Sequence, residues 1–225
     1  MSTFLELCNI VAKECGNDAV TTVSGQTGNR ADTVRWTAEA WMDIQRAQRH
    51  WAWMRDSFSF TTTAAQEAYT PTDAAPTGAA LTSFRFWYTN TFRCYSLVAD
   101  EQFISFVPYA TYRDRYQFGT QTSSRPSRFT VRPQDKAILL ANIPDAVYTI
   151  RGEYQKSATA LSANTDEPGM PDDFHILVAY GAMLKYAAVE NAPEVEARAR
   201  EGWRVTMSAL MADQLPPIEF GEPLL

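Results

Sequence analysis

Residues 50–62 read HWAWMRDSFSFTT, and the spacing of apolar residues changes inside this stretch. Up to Trp51 it is helical: Val34, Ala38, Trp41, Ile44, Gln48 and Trp51 fall three and four apart, the repeat of one helix face. From Phe58 and Phe60 onward it is two, the repeat of a half-buried strand. One change of period, in a segment carrying Trp51 and Trp53, marks the place where a helical domain gives way to a β domain.

Working back toward the start, Thr3 and Glu6 have capping-box spacing, so a hydroxyl and a carboxylate can satisfy each other's exposed backbone donors. The first helix is predicted from there to Cys15, with Leu5, Cys8, Ala12 and Cys15 as its apolar stripe and Gly16 as its left-handed cap. Residues 17–30, NDAVTTVSGQTGNR, read as a loop. GQTGNR lacks the Gly-Lys-Ser/Thr ending of a phosphate-binding loop, and no strand precedes it, so a surface connection is the better reading. A second helix is predicted from near Asp32, with Trp36 and Met42 off its main stripe and available to a second covering surface.

Working forward, FSFTT, EAYTP, SFRFWYTNTFRCYSL, SRFTV, AILLA and VYTIRGEY are strand-like runs separated by turn residues such as Pro71, Asp73, Pro144 and Asp145. The segment FISFVPYATYRDRYQFG interrupts them and predicts a short helix from near Ser105. After SATALSANTDEPGMP the helical period returns. Pro171, Asp172 and Asp173 suit a helix start, and the run Ile176 to Leu184, apolar on nearly every side, suits the central helix of a bundle ending near Asn191. Pro193 opens a last helix with Val195, Ala199, Trp203, Met207 and Leu210 on one face, stopping before Pro216 and Pro217. The expected fold is α+β: N- and C-terminal helices forming a helical bundle (1–56 and 165–214), an inserted antiparallel β module (57–164) and an extended C-terminal tail (215–225).

The longest unbroken apolar run has nine residues, half of the roughly 18 that would cross a bilayer. The N-terminus carries Glu6 and Glu14 in place of a basic start and apolar core, and mean hydropathy is −0.30. A soluble protein that stays in the cell making it is expected. Three cysteines suit a reducing compartment; Cys8 and Cys15, seven apart on a helix, would stand about 10.5 Å apart, too far for a disulfide. The net charge of −6 is uneven: residues 1–135 hold 13 basic and 13 acidic side chains, and residues 136–225 hold 7 and 13. No element carries the basic surplus of a sequence-specific DNA binder.

Chemistry is equally absent from the spacing. His50 and His175 sit in no zinc-ligand pattern, Asp172 with His175 reads as a helix start beside a partly buried imidazole, and no nucleophile motif is present. Asp166, Glu167, Asp172 and Asp173 flank prolines and glycine, where solvation and capping explain them. No catalytic, cofactor or metal residue is assigned. Arginine outnumbers lysine 16 to 4, and Arg85, Arg93, Arg113, Arg115, Arg125, Arg128, Arg132 and Arg151 cluster in or beside the β module. Arg makes bidentate carboxylate pairs and stacks on aromatics, which suits protein interfaces. With an acidic C-terminal part, this predicts a subunit able to pair side to side in a ring.

This order of elements, with FLELCNIVAKECG, RWTAEAWMDIQ, HWAWMRDSFSFTT, RPSRFTV, ILLANIPDAVYTIRGEY and DEPGMPDDFHILVAYGAMLKYA, resembles the head-to-tail adaptor (connector) proteins of tailed bacteriophages. The resemblance implies a non-enzymatic virion protein of the neck, assembled in the host cytoplasm, without cofactor or membrane. It implies a homo-oligomeric ring, commonly a dodecamer, beneath the portal protein, with a downstream tail or nozzle protein on its other side. DNA would pass through the channel without sequence-specific binding, and an acidic C-terminal helical region would line it. The tail LPPIEFGEPLL matches a portal-reaching segment, with Leu215, Ile218, Phe220, Leu224 and Leu225 as contact residues. Trp41, Trp51, Trp53, Phe58 and Phe60 would anchor the bundle to the β module, each large aromatic burying roughly 150 to 250 Å². The alternative is a tail terminator or other neck ring protein, which the long terminal helices disfavour; an enzyme would need a polar cleft.

Overall fold

The computed structural model describes residues 2–73, 81, 83–118 and 121–216. It divides into two compact units, Met1–Met54 with Ala158–Leu225, and Arg55–Ser157. The change of unit falls where the first strand, β1 (Arg55–Thr61), begins, and the segment 158–164, assigned from sequence to the β module, belongs to the helical unit.

The helical unit starts with α1 (Phe4–Glu14), whose capping box has both of its hydrogen bonds. At its other end Gly16, at φ 71°, lets Gly16 N–H reach the Lys13 carbonyl and Asn17 N–H reach the Ala12 carbonyl, the two bonds of a Schellman cap. The buried face is Phe4, Leu7, Cys8, Val11 and Ala12, one step round from the expected stripe, with Leu5 and Cys15 half-buried at its margin.

α2 (Asn29–Ala47) corrects the sequence reading more strongly. It starts three residues before Asp32 and ends before Trp51, because Gln48 is extended at φ −129°. Its buried face is Thr33, Trp36, Thr37, Ala40, Trp41, Ile44 and Gln45. Three of these are polar, and each has a partner that makes burial tolerable. The Thr33 hydroxyl donates to the Asn29 carbonyl at 2.8 Å and Thr37 to Thr33 at 2.7 Å. Gln45 clamps Thr159 from both sides, donating to its carbonyl at 2.9 Å and accepting its N–H at 3.0 Å.

A 3-10 turn, Asp172–Phe174, leads into α4 (Ile176–Glu190), and Asn191, left-handed at φ 51°, turns the chain into α5 (Pro193–Gln214). α4 packs against α1, α2 and α5 and is the central helix. Glycine inside a helix costs about 1 kcal/mol relative to alanine, and here it allows close approach. A Cβ on Gly181 would stand 2.7 Å from Trp203 Cζ3 and 2.9 Å from Ala40 Cβ, and one on Gly202 would meet the Tyr180 ring at 2.6 Å.

His175 is buried at the head of α4. Ser2 N–H can only donate, so Nδ1, 3.1 Å away, accepts; Nε2 then carries the proton and donates to the Met170 carbonyl at 3.0 Å. One imidazole thus holds both the chain start and the segment before α4. That segment also caps α1, since Phe4 N–H donates to the Asp166 carbonyl and Leu5 N–H to the Asn164 carbonyl.

Among the described residues the β unit has two four-stranded sheets. The first has the order β1 (Arg55–Thr61), β8 (Thr149–Lys156), β3 (Phe84–Tyr95), β4 (Gln102–Phe103). The second has the order β2 (Ala68–Tyr69), β7 (Ile138–Leu140), β6 (Arg128–Val131), β5 (Ser105–Phe106). Phe58, Phe60 and Phe92 of one sheet and Phe129, Ile138 and Leu140 of the other share one core. Phe92 and Phe129 stack with centroids 4.1 Å apart. Gly152 faces Phe58 in the ladder; a Cβ there would stand 2.9 Å from that ring.

Two expectations change here. The module is mixed rather than wholly antiparallel, because β5 pairs with β6 in parallel. Ser105 is in that strand and not in a helix: α3 runs only Tyr109–Tyr112 and continues as a wider π turn, Arg113–Gln117. Pro108 supplies the reason, since the residue before a proline is pushed out of the helical region and toward extended structure.

Candidate assembly surfaces

The residues singled out from sequence fall into separate groups. Trp41, Trp51 and Trp53 lie in the core cluster of the helical unit, where Trp51 stacks on Trp53 at 4.3 Å and donates from Nε1 to the Ile44 carbonyl at 3.0 Å. Phe58 and Phe60 lie in the core of the β unit, against Trp87 and Tyr69. Leu215 is half-buried at the end of α5. Ile218, Phe220, Leu224 and Leu225 lie outside the described residues.

Dividing the chain into its units sharpens the charge asymmetry. The helical unit holds 9 basic and 17 acidic side chains, a net of −8; the β unit holds 11 and 9, a net of +2. The two together recover the −6 of the whole chain.

Three arginines of the β unit, Arg55, Arg93 and Arg151, lie partly exposed on the first sheet. Arg93 on β3 and Arg151 on β8 are direct register partners. Like charges opposite one another destabilise a ladder, and Glu101, just before β4, resolves the conflict. Its Oε2 accepts from Arg151 at 2.6 Å and from Arg93 at 3.4 Å, while only 13% of its side chain reaches solvent. The Arg151 guanidinium is held further toward its charged form by that hydrogen bond. Arg93 also lies 4.0 Å over the ring of Phe103, and Arg55, paired with Glu153, lies 4.4 Å over Tyr88. Arg55, Arg93, Phe103, Arg151 and Glu153 line a hollow of about 760 Å³.

Beside it the chain crosses from the edge of one sheet to the edge of the other. Phe103 on β4 is 62% exposed, and Leu97 and Val98 in the preceding turn are 71% and 77% exposed. The turn is rigid: Asp100 accepts from Ser96 N–H, Ser96 Oγ and Leu97 N–H, and Arg125 grips the Cys94 and Asp100 carbonyls at 2.7 and 2.6 Å. A rigid turn carrying exposed apolar side chains is a feature of interaction surfaces. Sequence reasoning missed it because the helix predicted from near Ser105 hid the edge strand β5, and exposure of Phe103 on β4 depends on a cross-sheet neighbourhood.

Among the described residues no group of three His, Cys, Asp or Glu is placed to hold a metal ion, and no helix is long and apolar enough to cross a membrane. Burial pushes the thiols of Cys8 and Cys15 up to about 11. Tyr112 is raised well above its ordinary value by burial and by its hydrogen bond to Glu67, 2.6 Å away. Both are the environments of packed side chains, away from the exposed surfaces described above.

No curated protein matches the chain. The family described as SU10 adaptor protein matches residues 2–217, which spans both units and every described element. An α+β chain with helices at both ends, an inserted β unit and exposed, charge-sorted surfaces therefore belongs to the SU10 adaptor protein family, a family of phage head-to-tail adaptors.

Proposed function

We propose that this chain is a structural virion protein of which identical copies close into a ring beneath the portal, joining the portal to the tail around the DNA channel. The observation that supports this reading most is the sorting of charge, −8 on the helical unit and +2 on the β unit. A subunit with unlike patches in different places makes head-to-tail contacts with its own copies, and such contacts give a ring when the rotation closes. The acidic helical unit is the part suited to the channel, since a negative wall repels the DNA backbone and lets it slide. The apolar residues of the C-terminal stretch, from Leu215 onward, are the contact with the portal.

Electron microscopy of the purified protein mixed with portal rings of the same particle tests this. The expected result is an added ring of repeated copies, with the same symmetry axis as the portal. A native mass that stays that of one chain in the presence of portal rings sinks the proposal.

A further inference from the structure

We propose that the Arg55, Arg93 and Arg151 face of the first sheet is the seat for the α4–α5 corner of a second copy, with Glu190 and Glu194 entering as carboxylate partners and Val189 covering Phe103. The proposal rests on the ring reading and names the surfaces that would make it.

The β side is one carboxylate short. Arg151 reaches both oxygens of Glu101 and Arg93 shares one of them, and Arg55 has Glu153, so three guanidiniums face two carboxylates. The upper edges of Arg93 and Arg151 remain in solvent, 40% and 49% exposed, while Glu101 lies beneath them. Arg presents donors in a planar fork and holds a second acceptor without losing the first. Phe103 supplies an apolar neighbour under Arg93.

The helical side has the complement in one place. Most of its exposed carboxylates are engaged: Glu14 with Arg198, Glu39 and Asp43 with Lys185, Glu196 with Arg200, and Glu201 with Arg204. Glu190 and Glu194 take part in no ion pair among the described residues; Glu190 follows Val189, which is 65% exposed, at the end of α4, and Glu194 lies across the turn in the first turn of α5. The unit's other exposed valine, Val205, follows the engaged pair Glu201 and Arg204. Glu167 and Asp173 are also exposed and outside the ion pairs, but among the described residues no large exposed apolar side chain adjoins them in the chain, and unengaged acid and exposed hydrocarbon coincide at the corner.

A nucleic-acid phosphate is the competing anion. The face disfavours it, because Glu153 lines the same hollow as the arginines and Glu101 is paired with two of them, and both would repel a polyanion, whereas an isolated carboxylate with an apolar neighbour meets both the surplus cation and Phe103.

Disulfide trapping between copies provides the test. Cys8 and Cys94 are buried, and Cys15→Ser removes the half-buried thiol. Protein with Phe103→Cys is mixed with protein carrying Val189→Cys under mild oxidation, free and on portal rings; Phe103→Cys with Val205→Cys is the control. Linked pairs are expected several-fold above the control. Adding Glu190→Arg and Glu194→Arg to the Val189→Cys copy should lower the yield roughly tenfold, and Arg151→Glu on the other copy should restore it. The corner glutamates hold no ion pair among the described residues, and the charge that Glu194→Arg reverses in the first turn of α5 lowers the folding equilibrium about fivefold or less, so the result stays readable even if Arg151→Glu alone weakens the sheet. Yield at the control level, or no response to the corner reversals, overturns the proposal. Unchanged trapping together with loss of duplex DNA retention by Arg151→Glu overturns it in favour of phosphate binding. Rings on the portal with control-level trapping overturn this surface and leave the ring standing; no rings on the portal overturn the ring itself.

Discussion

Gly181 on α4 and Trp203 on α5 stand so close that a Cβ on the glycine would lie 2.7 Å from the indole, and Gly202 with Tyr180 repeats the relationship in reverse, at 2.6 Å. Each helix offers a glycine as the seat for the other's aromatic ring, which lets the two axes approach along their middle turns.

Gly181→Ala is therefore expected to destabilise the helical unit although alanine is the better helix former. The propensity gain is about 1 kcal/mol, whereas overpacking costs typically about 1 to 3 kcal/mol. Ala40, on the other side at 2.9 Å, cannot move without its helix. Urea denaturation should show a lower midpoint. In a Trp203→Ala background the cost should shrink, and equal costs in both backgrounds would refute the seat.

His175→Ala should loosen the start of the chain. It leaves the Ser2 N–H and the Met170 carbonyl without their partner; an unsatisfied buried group costs about 1 to 3 kcal/mol. Amide exchange in α1 and limited proteolysis near the N-terminus should both rise before α4 itself opens. Unchanged protection of α1 would contradict the clamp.

Glu101→Gln keeps the shape and removes the charge between Arg93 and Arg151. With both cations partly in solvent the expected loss is modest, about 1 kcal/mol, and it should narrow with added salt, which screens the exposed pair of like charges. A loss that does not respond to salt would assign Glu101 a packing role instead.

Asp135 supplies an acid-side signature. Its carboxyl is pulled from 3.8 down to about 2, chiefly by the Arg132 guanidinium and then by the Ala137 N–H. A carboxyl with a depressed folded value binds its proton more readily in the unfolded chain, so its contribution is complete above pH 3.8 and is lost as pH falls toward 2. The difference in Tm between the native protein and Asp135→Asn should be constant above that window and close within it. A difference that persists at pH 2 would show that the pair does not act through ionisation.

The cysteines should be silent toward thiol reagents at pH 8 in the folded protein. Burial raises Cys8 and Cys15 to about 11 and also raises Cys94. All three should label on unfolding. Rapid labelling of folded protein at Cys8 would mean that α1 opens readily.

The order of elements, the capping box at Thr3 and Glu6, the left-handed Gly16, the proline start of α5 and the uneven charge were all legible in the sequence, and with them the α+β fold. Each depends on residues within a few positions of one another, where backbone geometry and side-chain spacing leave few choices. The buried face of α2 was legible at Trp41 and Ile44 and not at its polar members, because Thr33, Thr37 and Gln45 read as outward residues until their partners are known. Gln45 meets Thr159 across 114 positions, and Glu101 meets Arg151 across 50. The parallel pairing of β5 with β6, and with it the exposure of Phe103, likewise depends on strands brought together from distant parts of the chain. The sequence alone determined what lies along the chain; only the tertiary structure decided which polar groups could be buried and which apolar ones stay in water, because both depend on hydrogen-bond and packing partners that the chain supplies only after it has folded.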